Sequence, residues 1–437
     1  MTPTLVDAMD GYLRRQYAWR WSGSVLDAAG QSMECAGPLS SIGDCCEIVD
    51  AGGRRYAGEV IGFRGQRVLA MPLEGIEGIR HGDTVIGLGR APDYPAGEGL
   101  IGRVLDAVGA PLDDGGPLRV TARTPIHRAP PAAMDRLPIR QPLSTGVRAL
   151  DAMLTVGLGQ RIGIFGGSGV GKSTLIGMMT RNTSADVVVV GLVGERGREV
   201  GEFLTDALGE EGRRRAVVIV STSDQSPLLR IRAALAATSV AENFAAEGKA
   251  VLLVLDSLTR FAMAARDVGL AAGEPPTAKG YTPSVFNRLA KLVERAGRFR
   301  QGSITAFYTV LMEGDDQQDP VVDAVRSFVD GHVMLSRTLA SEGWYPPIHV
   351  LDSISRLMPA ITSTEHLQAA GALRRLMALH DRASDLIRIG AYKAGSDAEL
   401  DRAIALQPMI RALLTQNAEQ RTSLDATVDA LLQVQPA

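Results

Sequence analysis

Residues 161–179 read RIGIFGGSGVGKSTLIGMM, and this stretch decides the fold of the chain. An apolar strand, RIGIF, runs into a glycine-rich turn and then into an apolar helix. The turn fits the pattern G-x-x-x-x-G-K-[ST] from Gly166 to Ser173, in the strand–turn–helix context that the pattern requires. Backbone N–H groups of such a turn curl around phosphate oxygens, and the helix N-terminus adds a favourable dipole. The sequence therefore predicts a phosphate-binding loop.

The residue types within this loop predict a nucleotide site. Lys172 is expected to reach the β- and γ-phosphates of ATP, and Ser173 is expected to bind Mg²⁺. The predicted cofactor is accordingly Mg²⁺ with ATP. The other residues of the loop that are predicted to bind nucleotide are Gly166, Gly167, Ser168, Gly169, Val170, Gly171 and Thr174.

Apolar runs beyond the loop predict a parallel sheet. They lie between residue 160 and about residue 347, are separated by helical stretches, and read DVVVVGLVG, RAVVIVSTS, AVLLVLDS and SITAFYTV. Fully buried strands that alternate with helices are typical of a parallel sheet covered on both faces. We therefore predict an α/β fold with a P-loop sheet core.

The flanking regions have different patterns. Short alternating strands separated by glycine turns, from about residue 17 to 89, predict a small β-barrel. The chain after about residue 362 is helical in pattern and contains no strand pattern. The predicted organisation is a docking helix at 1–18, a β-barrel domain at 19–95, a P-loop ATPase domain at 96–360 and a helical domain at 361–437.

The first helix carries an apolar stripe, in which Leu5, Met9, Leu13 and Tyr17 lie four residues apart. Such a stripe packs either against the helix's own domain or against a partner. The pattern leaves both interpretations open.

Composition narrows the classes of protein. The net charge is −3, with 45% hydrophobic and 22% charged residues, which is typical of a globular protein without a broad basic face for nucleic acid. The longest apolar runs are far too short to span a bilayer, so any membrane association is expected to be peripheral. Cys35, Cys45 and Cys46 fit buried strand positions in a reducing compartment better than a disulfide or a zinc site.

Two carboxylates follow apolar strands. Asp256 ends KAVLLVLD, on a strand expected to neighbour the P-loop strand, and is expected to hold Mg²⁺ through water. Residues 190–203 read VGLVGERGREVGEF and place Glu195 at the tip of the next strand, where it is expected to orient the attacking water. Arg196 is expected near the phosphates. Glu199 is expected either to support the site from outside or to form an ion pair.

The negative charge that develops on a transferring phosphoryl group usually requires an arginine. The stretch YPPIHVLDSISRLMP places Arg356 directly after a short strand, far along the sequence from the phosphate-binding loop. Spacing alone favours a surface ion pair for Arg356. The other interpretation is an arginine that acts on the nucleotide of another subunit.

Several longer stretches resemble the flagellum-specific type III export ATPases, which are homologues of the catalytic subunit of rotary ATP synthases. The resemblance runs over essentially the whole chain and implies that the P-loop sheet core is of the RecA/F1 type. In it, Glu195 corresponds to the catalytic carboxylate of a GER motif, with Arg196 beside it. The stretches SSIGDCCEI, GEGLIGRVLDAVGAPLD and SDLIRIGAYKAGSDAELDRAI resemble flagellar more than virulence sequences. The stretches that carry the resemblance are GGSGVGKST, VGERGREVGEF, LDSLTRFAMAARDVGLAAGEPPTAKGYTPSVF, GSITAFYTVLMEGDDQQDP, DGHVMLSR and YPPIHVLDSISR.

The same resemblance implies further roles, motif by motif. Lys172 and Ser173 correspond to the P-loop lysine and the Mg²⁺ ligand, and Asp256 corresponds to the Walker-B aspartate. Arg356 corresponds to an arginine that acts across a subunit boundary, and Tyr345 to the aromatic residue that stacks on adenine.

The resemblance also implies partners. It implies a homo-oligomer, a hexamer, with a stator-type regulator at the first helix and a coiled-coil stalk in the central pore. The loops EGDDQQDP and GEPPTAKGYTPS are expected to face that pore. An export gate, chaperones and export substrates are the other expected partners, with no nucleic acid and no membrane span. The expected location is the cytoplasm, peripherally associated with the export apparatus of the inner membrane.

The predicted function is Mg-dependent ATP hydrolysis by a ring ATPase that drives or primes flagellar type III protein export and unloads export substrates and chaperones. The alternative is a virulence-type secretion (injectisome) ATPase, which shares the mechanism. A catalytic subunit of ATP synthase fits less well, because the acid-rich stalk-contact residues have no obvious counterpart here. An RNA translocase of the Rho type fits poorly, because aromatic residues make up only 5% of the chain.

Overall fold

A computed structural model describes residues 21–120, 122–312, 314, 316 and 318–434. The chain forms two compact units, one built mainly on the residues before Asp93 and one on most of the remainder. The predicted docking helix at 1–18, together with its fold-back alternative, lies outside the described residues.

The first unit is built on a closed barrel in which every neighbouring pair of strands is antiparallel. Buried side chains alternate with more exposed ones along these strands, as expected where one face of a strand lines an apolar interior. Met33 and Cys35 point inward from one strand, and Cys46 and Ile48 from another. The strand order is β1-β2-β5-β4-β3-β6, and the strands are β1 (Ser22–Ala29), β2 (Ser32–Ala36), β3 (Cys45–Val49), β4 (Arg55–Arg64), β5 (Arg67–Pro72) and β6 (Thr84–Gly87).

The strands of the second unit are short at its start and longer in its core. They are β7 (Asp93–Ala96), β8 (Val104–Asp106), β9 (Ala122–Pro125), β10 (Pro142–Leu143), β11 (Val156–Gly157), β12 (Arg161–Gly166), β13 (Val187–Glu195), β14 (Ala216–Thr222), β15 (Ala250–Asp256), β16 (Gly297–Arg298), β17 (Ser303–Leu311), β18 (Gly331–Met334) and β19 (Ile354–Ser355).

The α-helices of the described residues alternate with the strands of the sheet, and after β19 helices are the only regular elements. They are α1 (Arg148–Met153), α2 (Lys172–Asn182), α3 (Gly197–Glu202), α4 (Gly209–Arg213), α5 (Pro227–Ala246), α6 (Leu258–Ala271), α7 (Pro283–Val293), α8 (Pro320–Phe328), α9 (Arg337–Ser341), α10 (Met358–Ile361), α11 (Thr364–Arg388), α12 (Ala398–Leu414) and α13 (Leu424–Val434).

A nine-stranded sheet forms the centre of the second unit, in the order β19-β18-β12-β17-β15-β13-β14-β8, with β16 beside β17. The strands from β18 to β8 run parallel, and β19 is antiparallel to β18. In β13 every residue except the last is buried, which is why the sequence there is a continuous apolar run. The predicted α/β fold class, with its barrel and its helical end, is confirmed.

The sequence predicts that the strand of Asp256 lies next to β12, the strand that leads into the phosphate-binding loop. This prediction is wrong, because β17 lies between β12 and β15. β13, which carries Glu195, lies one strand further away. A crossover connection fixes the handedness of a parallel pair but not how many strand positions it skips, so a later segment of chain fills the gap.

The chain after Ser355 contains only helices in the described residues, as predicted. Ile410 and Leu413 of α12 and Leu431 of α13 pack into the same apolar core as the sheet. No described helix is long and apolar enough to cross a membrane. The predicted domain boundaries stay predictions.

Candidate nucleotide site

The phosphate-binding loop joins the carboxyl end of β12 to α2. Gly169 and Gly171 have φ angles of 77° and 98°, in the left-handed region that glycine adopts at least cost. The side chains of Ser173 and Thr174, in the first turn of α2, are exposed. The helix is held in place from behind by buried Leu175, Ile176, Met178 and Met179. The loop therefore presents its first helical turn to solvent on a fixed support.

Three of the predicted site residues lie together in front of this loop. Lys172 Nζ is 2.6 Å from Asp256 Oδ1 and 3.9 Å from Glu195 Oε1. The three side chains are only 14%, 5% and 12% exposed, respectively. Thr309 Oγ1, on the intervening strand β17, donates a hydrogen bond of 2.6 Å to Asp256 Oδ1. The carboxyl ends of four strands thus converge on one ammonium group.

Burial and neighbouring charges shift the protonation of this cluster. Burial raises the pKa of Glu195 to about 7; the charge of Asp256 also raises it, and the ammonium of Lys172 lowers it. Burial lowers the pKa of Lys172, but the charges of Asp256 and Glu195 outweigh burial, so the net shift is upward. Lys172 stays charged, and Glu195 exchanges a proton near neutral pH, which suits a general base.

Glu195 Oε1 is buried and has no hydrogen-bond partner among the described residues. A buried carboxylate oxygen without a hydrogen bond is costly, and in a functional site it is available to a water or a ligand. The oxygen lies beside the ammonium that is expected to bind phosphate. The arrangement can therefore hold and polarise a water next to a bound nucleotide.

This protonation behaviour predicts a pH-dependent effect on stability. The folded-state pKa of Glu195 lies above its ordinary value, so the stability tied to the protonated carboxyl is lost as pH rises from about 4.5 through about 7. Glu195→Gln cannot ionise. In nucleotide-free protein its melting temperature is expected to match that of the parent below pH 5, and to exceed it by a few degrees above pH 7. Differential scanning fluorimetry across this range tests the prediction, and a difference that does not change with pH would contradict it.

Arg196 lies apart from the buried cluster. Its side chain is 71% exposed, and its Nη1 lies 3.7 Å from Glu199 Oε1. The structure therefore does not bring Arg196 to Lys172. Its expected position near the phosphates stays a prediction.

Tyr345 lies beside the phosphate-binding loop. Its ring is half-exposed, and a Cβ atom built on Gly171 would be 3.8 Å from the ring. The following residues, Pro346 and Pro347, are buried. A planar base lying against Tyr345 would place its phosphates toward the loop.

Arg356 lies at the opposite edge of the sheet. Its N–H donates to the carbonyl of Asp330, whose own N–H donates to the carbonyl of Arg161 at the start of β12. The loop begins at Gly166, five residues further along β12, or about 17 Å away at the rise of a β-strand. The Arg356 side chain is exposed and forms no ion pair with a described residue. The structure thus does not bring Arg356 to the phosphate-binding loop of its own chain.

Three side chains near the cluster carried no role in the sequence analysis. Thr309 holds Asp256, as described above. Arg260, on α6, packs on Gly194, and its charge lowers the pKa of Glu195. The guanidinium of Arg337 lies against Gly167. Both arginines follow apolar strands in LDSLTRF and VMLSR, so a search for cations after strand ends would have found them.

The loops predicted to face a pore contact each other. Lys279 Nζ, in GEPPTAKGYTPS, lies 2.8 Å from Asp316 and 3.0 Å from Asp319 of EGDDQQDP. Glu313, Asp315 and Gln317 lie outside the described residues. The contact joins the two loops, and their expected position at a pore stays a prediction.

Comparison with known proteins agrees with this geometry. The chain matches the nucleotide-binding domain of the ATP synthase alpha/beta family at residues 146–355 and its beta-barrel domain at 22–89. Residues 362–433 match the T3SS EscN ATPase C-terminal domain.

Individual relatives match over almost their whole length. The flagellum-specific ATP synthase of Treponema pallidum is 49% identical, covering 96% of this chain and 94% of the relative. The type 3 secretion system ATPase of Xanthomonas euvesicatoria is 45% identical, covering 99% and 98%. The assembled ATPase EscN of enteropathogenic E. coli, solved in complex with its central stalk EscO, aligns with a TM-score of 0.87 at 41% identity, covering 94% and 99%.

A barrel, a parallel sheet with a phosphate-binding loop, and a helical end define an ATP-hydrolysing enzyme of the rotary ATP synthase type. The chain belongs to the ATP synthase alpha/beta family, in the group formed by the ATPases of type III protein export.

Proposed function

We propose that this chain is a Mg-dependent ring ATPase that drives or primes flagellar type III protein export and unloads export substrates and chaperones. The observation that carries the proposal is the buried contact of Lys172 with Asp256 and Glu195 at the loop edge of the sheet. A flagellar role is favoured over an injectisome role by the flagellum-specific relative at 49% identity, against 45% for the type 3 secretion ATPase.

Nucleotide binding is assigned to the residues of the loop. The backbone N–H groups from Gly166 to Gly171 would surround the phosphates, and the Lys172 ammonium would move from Asp256 to the β- and γ-phosphates. The Tyr345 ring would stack on adenine.

The residues present fit a magnesium ion. The Ser173 hydroxyl is exposed in the first turn of α2, and Asp256 provides a buried carboxylate once Lys172 has turned away. Ser173 would bind Mg²⁺ directly, and Asp256 would bind it through water. When bound, Mg²⁺ supplies positive charge that neutralises the phosphate oxygens.

Glu195 is assigned to the hydrolytic water. Its Oε1, which accepts no hydrogen bond from a described residue, would accept one hydrogen of a water placed for in-line attack on the γ-phosphorus. As the water oxygen bonds to phosphorus, the bond to the β-γ bridging oxygen breaks, ADP leaves, and the proton passes to Glu195 or to the phosphate. The raised pKa of Glu195 makes it an effective acceptor near neutral pH.

In a ring of copies, Arg356 of a neighbouring copy would supply the arginine that stabilises the transferring phosphoryl group. Arg356 is exposed at the edge of the sheet opposite to the loop, so a neighbouring copy could receive it at its own nucleotide. We propose a homohexamer in which each interface combines one copy's loop with the next copy's Arg356. The solved EscN assembly with its central stalk supports a coiled-coil stalk partner in the pore. A stator-type regulator at residues 1–18, an export gate, and a cytoplasmic location at the inner membrane complete the proposal.

Lys172→Ala tests this function. The variant is expected to remain folded, because the buried apolar side chains that hold α2 in place are unchanged, but to lose nucleotide affinity and ATP turnover. Phosphate release and titration with a fluorescent nucleotide measure the two losses, with Lys393→Ala, an exposed lysine, as the control. Normal turnover in Lys172→Ala would remove the P-loop assignment.

A further inference from the structure

Gln416 is a buried glutamine in the segment that joins α12 to α13, and it is 5% exposed. Its side-chain Oε1 accepts a hydrogen bond of 2.9 Å from the N–H of Arg148. Its Nε2 donates to the carbonyls of Gly146 and Gln420, at 2.9 Å and 2.7 Å. A primary amide has two donors and an acceptor oxygen, and here all of these groups are used. The position of Gln416 is therefore fixed on several sides.

The backbone of Gln416 reaches the nucleotide site. Its N–H donates a hydrogen bond of 2.8 Å to the carbonyl of Tyr345, the residue whose ring lies beside the phosphate-binding loop. The Tyr345 ring is half-exposed, so packing around the ring fixes it only in part. The backbone hydrogen bond from Gln416 therefore contributes to holding Tyr345 in place.

A second contact from the helical region holds the same segment. Arg411, on α12, donates from Nη2 to the carbonyl of Glu342 at 3.0 Å, and its guanidinium lies 5.7 Å from the centre of the Trp344 ring. Arg411 and Gln416 thus both attach residues 342–345 to the helical end of the chain. The position of Tyr345 depends on residues that are distant in sequence.

We propose that Gln416 is a positioning residue for the base of the nucleotide. It acts through Tyr345 and ties base recognition to the helical end of the chain. The inference rests on the proposed role of Tyr345 as the wall against which adenine stacks. Loss of the side-chain amide contacts would release the segment around Gln416, and with it the carbonyl of Tyr345.

The first test compares ligands with and without a base. Gln416→Leu keeps most of the bulk of the side chain but removes its hydrogen bonds. Stacking of a base on an aromatic ring contributes about 5- to 150-fold in affinity, so ATP affinity is expected to fall within that range. Inorganic tripolyphosphate, which has phosphates but no base, is expected to bind as tightly as it does to the parent. Isothermal titration calorimetry measures both, with exposed Gln368→Leu of α11 as the control.

Kinetics separate positioning from general damage. The KM for ATP is expected to rise about as much as affinity falls, while kcat stays within about twofold, because uniform binding is lost and the chemistry is not. Equal weakening of tripolyphosphate, or a loss confined to kcat, would overturn the proposal. If Gln416→Leu does not fold, Gln416→Asn, which keeps an amide on a side chain shorter by one methylene, is expected to show a smaller loss with the same selectivity for ATP.

A double-mutant cycle distinguishes this proposal from the assignment of Tyr345. If Gln416 acts through the ring, Gln416→Leu adds nothing once Tyr345→Ala is present. Additive losses would overturn the role of Gln416 and leave Tyr345 as the base wall. Full ATP affinity in Tyr345→Ala alone would instead remove the base assignment, and the inference about Gln416 with it.

Discussion

Glu195→Gln is expected to bind ATP with near-normal affinity and to hydrolyse it roughly 10²- to 10⁴-fold more slowly. The substitution keeps the size of the side chain and an oxygen that accepts hydrogen bonds. It removes the negative charge that polarises water and the group that takes up the proton. Binding is expected to survive, because the phosphates are held by Lys172 and the loop backbone rather than by Glu195.

Two assays separate binding from chemistry in Glu195→Gln. Nucleotide titration measures affinity, and phosphate release under saturating ATP measures turnover. Glu202→Gln is the matched control, because this acid lies on α3 in an exposed ion pair with Arg198. The control is expected to behave as the parent. Parallel losses of affinity and turnover in Glu195→Gln would show that this carboxylate supports the structure of the loop and does not act on water.

The same variant is expected to be more stable than the parent above pH 7, so the two predictions constrain each other. A residue that costs stability when ionised and is required for turnover is retained for its chemistry. A purely structural carboxylate would show the reverse, with Glu195→Gln less stable across the whole pH range. The joint outcome identifies the role of Glu195 more firmly than either measurement alone.

The pattern of the sequence was sufficient for the fold class. Continuous apolar runs such as that of β13 occur where both faces of a sheet are covered, and the glycines of the loop sit where the backbone turns left-handed. Lys172, Glu195 and Asp256 could be expected together, because the carboxyl ends of parallel strands lie on one edge. These inferences depend on local pattern and on a general rule of topology.

The order of the strands could not be predicted in the same way. Insertion of β17 between β12 and β15 depends on packing over long sequence separations, which no local periodicity records. The same reason applies to Thr309, whose hydrogen bond to Asp256 follows from that insertion. The contact between Gln416 and Tyr345 likewise joins segments that only the folded chain brings together.

The position of Arg356 follows from the register of the strands and not from its spacing in the sequence. Spacing alone favours a surface ion pair, but the side chain forms no such pair with a described residue. Register places it level with Arg161, at the start of the strand whose other end carries the loop. An exposed arginine that lies level with the end of β12 about 17 Å from the loop is positioned to act elsewhere.

Arg356→Ala is therefore expected to fold and to bind ATP, yet to lose roughly 10³- to 10⁵-fold in turnover. Lysine is not expected to restore activity, because an ammonium lacks the planar fork of the guanidinium. Arg214→Ala is the control, since Arg214 is exposed and pairs with Glu210 at 2.6 Å on α4. Loss of such a surface pair costs about 0–1 kcal/mol and is expected to leave turnover unchanged.

Mixing decides whether Arg356 acts across a subunit boundary. Arg356→Ala and Lys172→Ala subunits are each expected to be inactive alone. A mixed ring contains some interfaces where an intact loop on one copy meets an intact arginine on the next, so activity is expected to reappear on mixing. Subunit exchange is verified by co-purification of differently tagged variants. If mixed rings form and remain inactive, Arg356 does not act on a neighbouring nucleotide, and the shared-site ring proposed for this chain is wrong.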